Sequence, residues 1–337
     1  MGFEGNLANV TVEPLRALTS PGSSMQGMGL TMEGQEGNEI VYDILLDQAW
    51  STAPIDIPRY VSSWVSRRYL VKSLPDAAQK AWMILAASVY NNTGVSSLQP
   101  MTMKSMVELP PTINGPGQAA LFYDSNTTVV VALQLLVQAS KENEALRSVP
   151  EFAHDVVDVA RQVMVNRFID FYNDLINVYN SAESSWEAIM AASKPLLAII
   201  SDLDDLLMTN QDFLLSNWIG DARARASGNT TYAAYLEYNA RNQITLWGPD
   251  GEINDYASKQ WGGLVGSYYQ QRWESFTTYL QQIRREGQAY NETYIAQEML
   301  NIGKKWDTEI WGAREGEIWG TRGDTWEIVD MILTKWV

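Results

Sequence analysis

The side chains available for chemistry in this sequence are mainly carboxylates and aromatic rings. Its 337 residues include no cysteine and a single histidine, which removes thiolate nucleophiles, cysteine–metal sites and most zinc chemistry. That histidine, His154, lies near a predicted helix start, and we interpret it as a structural or surface residue. Carboxylates working with aromatic rings are typical of carbohydrate-active proteins. We therefore expect neither a metal nor a cofactor.

The charge of the chain excludes two classes of partner. Its formal net charge is −16, and the acidic residues are dispersed rather than grouped. Binding a polyphosphate requires clustered Lys and Arg, so we expect no nucleic-acid partner and no anionic membrane surface. No run of about 18 apolar residues occurs, which predicts no membrane span.

One carboxylate, Glu33, has distinctive surroundings. The apolar stretch Met25–Met32 is interpreted as a short strand that ends at Glu33, and a Gly-rich loop follows. Asn38 then predicts the N-cap of a helix. A carboxylate at the C-terminal end of a strand that leads into a helix is where a β/α barrel carries its catalytic groups. The nearby Glu36 and Glu39 are interpreted as solvated acids of the first helical turn.

The rest of the chain is predicted to be helical. Residues 1–37 are Gly-rich with little helical periodicity, whereas residues 93–118, rich in Pro and Gly, predict a long loop. Asp324, in an Arg-Gly-Asp tripeptide, is interpreted as a helix N-cap rather than as part of an integrin motif. The apolar periodicity predicts helices over 56–73, 76–90, 127–146, 150–180, 183–208, 210–226, 230–245, 253–286, 292–303 and from about Thr325 to Trp336.

Five Asn-x-Ser/Thr sequons indicate a protein of the secretory pathway. Their asparagines are glycosylation candidates: Asn9, Asn91, Asn126, Asn229 and Asn291. The first residues have neither a basic start nor an apolar core, so no signal peptide is expected in this chain.

The segment LWGPDGEINDYASKQWGGLVGSYYQQRW at 246–273 closely resembles the C-terminal helical domain of the α-N-acetylglucosaminidases, glycoside hydrolase family 89. The stretches SRRYLV at 66–71, AWMILAASVYNNTG at 81–94 and RGDT at 322–325 are similar to further family segments in the same order. GFEGN at 2–6 and GMGLTMEGQEGNEIVYDIL resemble two segments of its barrel.

The resemblance implies a mainly α fold and assigns roles to four residues. It implies that residues 1–51 are the last strand–loop–helix remnant of a (β/α)8-type barrel and that residues 52–337 form the helical C-terminal domain. It places the family's nucleophile on Glu33 and its sugar contacts on Trp247, Ile253 and Tyr256. The spacing of Ile253 and Tyr256 predicts that both lie on one face of a helix.

The resemblance also implies a partner, a reaction and a compartment. The ligand is a glycan with terminal α-linked N-acetylglucosamine, as in heparan-type chains, and the reaction is a retaining hydrolysis. The compartment is lysosomal, vacuolar or extracellular. The other expected partner is the missing N-terminal barrel portion, in cis or in trans.

Two departures from the family limit this expectation. The Phe-Asn-Glu segment that carries the family's acid/base is absent, and residues 96–105 read SSLQPMTMKS where the family has a pocket histidine. A lone nucleophile without an acid is expected to leave this chain inactive by itself. Two alternatives remain open: a non-catalytic carbohydrate-binding or scaffolding helical protein, and one half of a split enzyme.

Overall fold

A computed structural model describes residues 5–30, 38–91, 105–115, 128–309 and 320–337. These ranges are mainly helical, and their only β pairing consists of two isolated bridges, Asn6 with Asn91 and Leu214 with Gly262. The predicted mainly α fold is confirmed. No helix of the described ranges is both long and apolar enough to cross a bilayer.

Twelve α-helices lie in the described ranges. They are α1 Leu7–Thr19, α2 Glu39–Gln48, α3 Ile57–Tyr69, α4 Asp76–Ala87, α5 Val129–Glu142, α6 Pro150–Asn180, α7 Trp186–Leu207, α8 Leu215–Ala224, α9 Thr230–Gln243, α10 Gln270–Glu286, α11 Glu292–Asp307 and α12 Thr325–Lys335. Short 3₁₀ turns occur at Met106–Glu108, Glu144–Ser148 and Gln211–Phe213, and a π-helical turn at Val265–Tyr269 precedes α10.

Polar side chains fix several helix starts. The Asp56 side chain accepts a hydrogen bond from the Arg59 N–H at the start of α3. Asp324 accepts from the N–H groups of Trp326 and Glu327, so its predicted role as an N-cap is confirmed. Such caps satisfy N–H groups that have no partner within the helix, and each contributes about 1 kcal/mol.

The chain divides into two compact units. Unit 1 comprises Met1–Met103 and Leu121–Val163, and unit 2 comprises Lys104–Ala120 and Met164–Val337. Helix α6 therefore supplies its first half to unit 1 and its second half to unit 2.

Unit 1 is organised around an aromatic core with a buried carboxylate. Helix α4 packs against α3 and α5, and the Trp64 and Trp82 rings meet edge to face at 4.7 Å. The Trp82 indole N–H donates to the Tyr69 hydroxyl, which donates to Asp155 at 2.7 Å. Arg68 makes two further hydrogen bonds of 2.7 Å to Asp155, which is buried. This ion pair with its hydroxyl partner joins α3 to the start of α6.

His154 and Glu39 lie beside this cluster. The His154 Nε2 is 3.7 Å from a Glu39 carboxylate oxygen, and both side chains are partly buried. Burial raises the pKa of Glu39, and the charges of Asp158 and Asp155 raise it further. The interpretation of His154 as structural is consistent with this position. Glu39 does lie in the first turn of α2, as predicted, and its side chain is 39% exposed, so it is only partly solvated.

Unit 2 is built on a second aromatic core. Helix α10 packs against α7 and α11, and α9 packs against α8 and α11. The buried Trp273 of α10 makes edge-to-face contacts with Phe168 at 4.8 Å and Phe276 at 5.9 Å. Its indole N–H donates to the Val107 carbonyl at 3.1 Å, which fixes the 105–115 segment on α10.

Leu70 ends α3 in an unfavourable backbone conformation. Its φ is +50°, a left-handed value that glycine adopts at little cost, and its side chain is 83% exposed. We expect Leu70→Gly to raise the free energy of unfolding by about 1 kcal/mol, since it removes a steric penalty and almost no packing. Urea denaturation measures this. Leu70→Ala keeps the Cβ atom and is the matched control; equal gains from Gly and Ala would contradict the argument.

The structure corrects three local predictions near the N-terminus. Residues 7–19 form α1, although its internal Pro14 and the neighbouring glycines obscured the helical pattern. The strand predicted over Met25–Met32 is wrong where it is described, because residues 23–30 form neither helix nor strand. Asn38 does precede α2, but its φ is +66° and its side chain does not cap the helix.

Four of the five sequon asparagines lie in described ranges, and all four are exposed: Asn9, Asn91, Asn229 and Asn291. The last two also cap α9 and α11 through their side-chain oxygens. Asn126 lies outside the described residues. Exposure is compatible with glycosylation, which stays a prediction.

Candidate functional site

The four residues with predicted roles fall into two groups. Glu33 lies outside the described residues. Trp247, Ile253 and Tyr256 lie in unit 2, in the irregular segment between α9 and α10. The helix predicted from residue 253 onward is wrong in its first part, because residues 252–257 form turns. Ile253 and Tyr256 therefore do not share a helix face, and that prediction is wrong as well.

Three residues with positive φ make the chain turn after α9. Trp247 has φ +43°, Gly248 has φ +142° and Gly251 has φ +76°. The φ of Gly248 is one that residues with a Cβ atom rarely adopt, so glycine is favoured there, and a Cβ atom would also displace the end of the Glu252 side chain. The Leu-Trp-Gly-Pro sequence thus produces a tight reversal rather than a further helical turn.

This reversal brings two aromatic rings together at the surface. The centroids of Trp247 and Tyr256 are 5.5 Å apart with the rings inclined at 69°. Tyr256 is 38% exposed, Ile253 is 46% exposed and Trp247 is partly exposed. The Tyr256 N–H donates to the Ile253 carbonyl at 3.1 Å, so these two residues belong to one turn. The three residues are called the aromatic corner below.

Contacts with the end of α9 hold Trp247 of the aromatic corner in place. The Trp247 N–H donates to the Asn242 carbonyl at 2.6 Å, and the Asn242 side chain pairs with Gly248 through both its oxygen and its nitrogen. The same nitrogen donates to Asp307 at 2.8 Å. Burial raises the pKa of Asp307 to about 6, although hydrogen bonds from Thr245 and Asn242 lower it.

A buried ion pair holds Tyr256 of the aromatic corner in place. Asp255 precedes Tyr256, is 1% exposed and accepts a hydrogen bond from Arg272 at 2.7 Å. Although burial lowers the pKa of Arg272, the Asp255 carboxylate raises it, with a net rise that keeps the guanidinium charged. Asp255 has φ +56°, and its N–H donates to the Thr245 carbonyl at 2.6 Å. These contacts set the direction in which the Tyr256 side chain leaves the backbone.

A buried glutamate completes the support. Glu108 is fully buried and accepts hydrogen bonds from the Ser258 hydroxyl at 2.8 Å and from the Gln260 amide. Its backbone carbonyl accepts from Arg272 at 2.6 Å. A buried polar network of this kind is stabilising only when its members are paired, and it then rigidifies what it touches. The segment that follows Tyr256 is therefore fixed at several points.

The aromatic corner suits a saccharide ligand. An indole or phenol ring packs against the apolar face of a pyranose, and a Tyr hydroxyl can exchange hydrogen bonds with sugar hydroxyls. Ile253 adds apolar surface for a small substituent such as a methyl group. Among the described residues no group of three or more His, Cys, Asp or Glu side chains could hold a metal ion.

Two family models match the chain. Residues 60–335 match the model of the alpha-N-acetylglucosaminidase (NAGLU) C-terminal domain. The chain belongs to this family. Residues 1–52 match the model of the NAGLU TIM-barrel domain, so a fragment of that barrel precedes the NAGLU C-terminal domain.

Individual relatives agree with this assignment. Human alpha-N-acetylglucosaminidase is 33% identical over 280 residues, which are 82% of this chain and 36% of the human protein. A family 89 glycoside hydrolase from Clostridium perfringens bound to PUGNAc has a TM-score of 0.86 at 23% identity, over 100% of this chain and 38% of its own. A variant of the Clostridium perfringens protein bound to its substrate GlcNAc-alpha-1,4-galactose gives the same values.

These likenesses establish the NAGLU family and its fold. The chain spans little more than a third of the length of the relatives it matches. At 23% identity, the likeness to the solved structures shows the fold of this chain alone.

Several supporting residues were not predicted from the sequence. Glu108 fell in a segment interpreted as a long loop, and Asn242 and Asp307 were not singled out. The Ser105–Glu108 spacing is that of a capping box and was an available signal, since Glu108 accepts from the Ser105 N–H. No comparable local pattern marks Asn242 and Asp307, because their contacts join residues 65 positions apart.

Proposed function

We propose that this chain provides the sugar-facing part of an alpha-N-acetylglucosaminidase that removes terminal α-linked N-acetylglucosamine with retention of configuration. The observation that carries the proposal is the aromatic corner, in which Trp247 and Tyr256 meet at 5.5 Å on a rigidly held turn. The NAGLU family membership and the sugar ligands named for the Clostridium perfringens structures support it. Heparan-type glycans are the proposed natural substrates.

In the proposed reaction Glu33 is the nucleophile. Its carboxylate attacks the anomeric carbon while a second carboxyl group protonates the leaving oxygen, and water then hydrolyses the glycosyl-enzyme. Trp247, Ile253 and Tyr256 bind and orient the sugar ring. The second carboxyl group is proposed to come from a barrel portion, in cis or in trans, because no segment of this sequence matches the family's acid/base motif.

We propose an acidic compartment, lysosomal or vacuolar, or else the extracellular space, as the place of action. The exposed sequon asparagines are compatible with passage through the secretory pathway. Burial raises the pKa of Asp307 and Asp204, which suits a protein that works below neutral pH.

Ligand binding tests the aromatic corner directly. We expect the 337-residue chain to bind 2-acetamido-1,2-dideoxynojirimycin, and Trp247→Ala to weaken the affinity about tenfold or more, because a stacking ring is lost. Isothermal titration calorimetry measures both. Trp50→Ala removes an indole that is 91% exposed elsewhere in the chain and is the matched control. Equal affinities for all three proteins would contradict the assignment.

Hydrolysis tests the proposed dependence on a second carboxyl group. We expect the purified 337-residue chain to cleave GlcNAc-alpha-1,4-galactose no faster than its Glu33→Gln variant, because the poor leaving group of this glycoside needs acid catalysis, which typically supplies about 10²–10⁴-fold. Cleavage by the unsubstituted chain that Glu33→Gln abolishes would contradict this. Cleavage that requires an added barrel-containing chain would instead identify a split enzyme.

A non-catalytic carbohydrate-binding protein is the second candidate. It is favoured by the fact that the aromatic corner and all of its described supports lie within unit 2. Retained affinity in Glu33→Gln, combined with no activity in the presence of any barrel-containing chain, would select it over the hydrolase.

A further inference from the structure

The backbone of Trp247 is held in a conformation that a tryptophan does not adopt readily. A φ of +43° is left-handed, and for residues other than Gly, Asn and Asp it is uncommon and unfavourable. Such a conformation persists only where the surroundings impose it, and it occurs often at binding sites. The contacts that impose it on Trp247 therefore set where the indole points.

Asn242 makes most of those contacts. Its backbone carbonyl accepts from the Trp247 N–H at 2.6 Å. Its side-chain oxygen accepts from the Gly248 N–H at 2.8 Å, and its side-chain nitrogen donates to the Gly248 carbonyl at 3.0 Å. The residue thus pairs with both polar groups of Gly248 and with the N–H of Trp247. No other side chain has a described hydrogen bond to these backbone groups.

Asp307 fixes the orientation of the Asn242 amide. An amide group could in principle be turned over, which would place its NH₂ against the Gly248 N–H. The carboxylate of Asp307 accepts from the Asn242 nitrogen at 2.8 Å and so selects the observed orientation. Thr245 donates to the other carboxylate oxygen at 2.6 Å. The charged groups that also influence Asp307 are Arg241 on α9 and Asp255 in the turn segment.

Helix α11 is also seated closely on this turn. Gly303, one helical turn before Asp307, faces Leu246, and a Cβ atom there would lie 2.6 Å from a Leu246 methyl group. The absence of a side chain at Gly303 therefore allows α11 to bring Asp307 within reach of Asn242.

We propose that Asn242 is a positioning residue for the saccharide-facing ring of Trp247, with Asp307 selecting the orientation of the Asn242 amide. This inference rests on the proposed function, because it concerns the same sugar-binding corner. Neither residue needs to touch the sugar. Their effect on affinity would pass through the backbone of Trp247 and Gly248.

The decisive variant is Asn242→Asp. It replaces the amide nitrogen by a second carboxylate oxygen about 2.8 Å from that of Asp307. At pH 7.5 two carboxylates repel at this distance, and we expect affinity for 2-acetamido-1,2-dideoxynojirimycin about tenfold below that of the unsubstituted chain. At pH 5 the two carboxyl groups can share a proton, which restores a hydrogen bond between them. The affinity of the variant should then be less than about threefold below that of the unsubstituted chain.

Three further variants give the controls. Asn239→Asp makes the same chemical change on the exposed side of α9 and should bind as the unsubstituted chain does at both pH values. Asn242→Ala should weaken binding at both pH values. The double variant Asn242→Asp/Asp307→Asn should lose the pH dependence, because only one carboxylate remains. A purely structural role for Asn242 would lower affinity without the acid rescue.

Hydrogen–deuterium exchange of the segment 244–256 separates this inference from the proposed function. We expect Asn242→Ala to speed exchange in that segment and Asn239→Ala to leave it unchanged. Unchanged exchange in Asn242→Ala would overturn the proposal. Faster exchange with unaltered affinity would overturn the positioning role. If the unsubstituted chain does not bind the iminosugar, the proposed function and the positioning role both fail. The exchange rates of the segment 244–256 would still show whether Asn242 holds the turn.

Discussion

Replacing Arg272 by methionine is expected to lower the free energy of unfolding by about 3–5 kcal/mol. Methionine keeps much of the volume but leaves the buried Asp255 carboxylate without its cation and the Glu108 carbonyl without the donor at 2.6 Å. Breaking a buried pair costs far more than the pair contributes, because an uncompensated charge remains in a poorly hydrated site. Urea denaturation followed by circular dichroism measures the loss.

Two variants make this prediction specific. Arg285→Met changes an exposed arginine of the same helix and should cost less than about 1 kcal/mol. The double variant Arg272→Met/Asp255→Asn removes the stranded charge and should recover about 1–2 kcal/mol, since asparagine also tolerates the φ of +56° at that position. A double variant as unstable as Arg272→Met would show that lost packing, and not the stranded charge, causes most of the loss of stability.

The same ion pair links stability to the candidate site. Asp255 is adjacent to Tyr256, so a variant that frees Asp255 should also lower affinity at the aromatic corner. We expect this loss to appear under conditions where Arg272→Met is still folded, and to be smaller in the double variant.

The helices that could be predicted from the sequence are those with a long apolar stripe and clear boundaries. The range 150–180 is reproduced at both ends, because Pro150 suits a first helical position and the apolar repeat runs without interruption. The first helix was not predicted, since Pro14 lies inside it and glycines surround it. Its stability comes from packing against α2, which a local pattern does not report.

The first part of the helix predicted over 253–286 was wrong for a different reason, whereas its second part was confirmed. Its first part has helical spacing, but Asp255 adopts a positive φ in order to reach Arg272, and Gly262 and Gly263 follow. Tertiary hydrogen bonds override a weak local preference there. A helix begins only where the π-helical turn at Val265–Tyr269 leads into α10.

The candidate site was predictable in its exposed part and not in its buried part. Trp247, Ile253 and Tyr256 were assigned by resemblance, and the structure places Trp247 beside Tyr256. The residues that hold them pair across long separations, such as Ser258 with Glu108 over 150 positions. No periodicity or motif encodes a contact of that range, so the sequence alone could not reveal it.

Acidification from pH 7 to pH 5 is expected to stabilise the folded chain, and Asp307 is expected to be a main cause. Burial raises its pKa from 3.8 to about 6, so the folded state binds this proton more tightly than the unfolded state does. The stabilisation of the folded state by protonation of Asp307 is therefore fully present below about pH 4 and is lost as the pH rises through about 6. The difference between these pKa values corresponds to roughly 3 kcal/mol at most.

Asp307→Asn isolates this effect. The variant should be more stable than the unsubstituted chain at pH 7, by about 1–3 kcal/mol, and should gain less on acidification, because no buried charge has to form. Asparagine can keep the contacts: its oxygen accepts from Asn242, and its nitrogen donates to Thr245, whose hydroxyl can turn to the Arg241 carbonyl at 2.8 Å. Melting temperatures of both proteins, measured from pH 7 to pH 4.5, report how steeply stability changes with pH.

The control and the remaining carboxylates sharpen the expectation. Asp250→Asn alters an exposed aspartate paired with Lys304 and should leave the slope unchanged. Burial also raises the pKa of Asp204 and Glu39, so part of the acid stabilisation should survive in Asp307→Asn. A net charge of −16 at pH 7 acts in the same direction, since protonation reduces self-repulsion. A chain that melts at lower temperature at pH 5 than at pH 7 would contradict the acid-stabilised character, and with it one support for an acidic compartment.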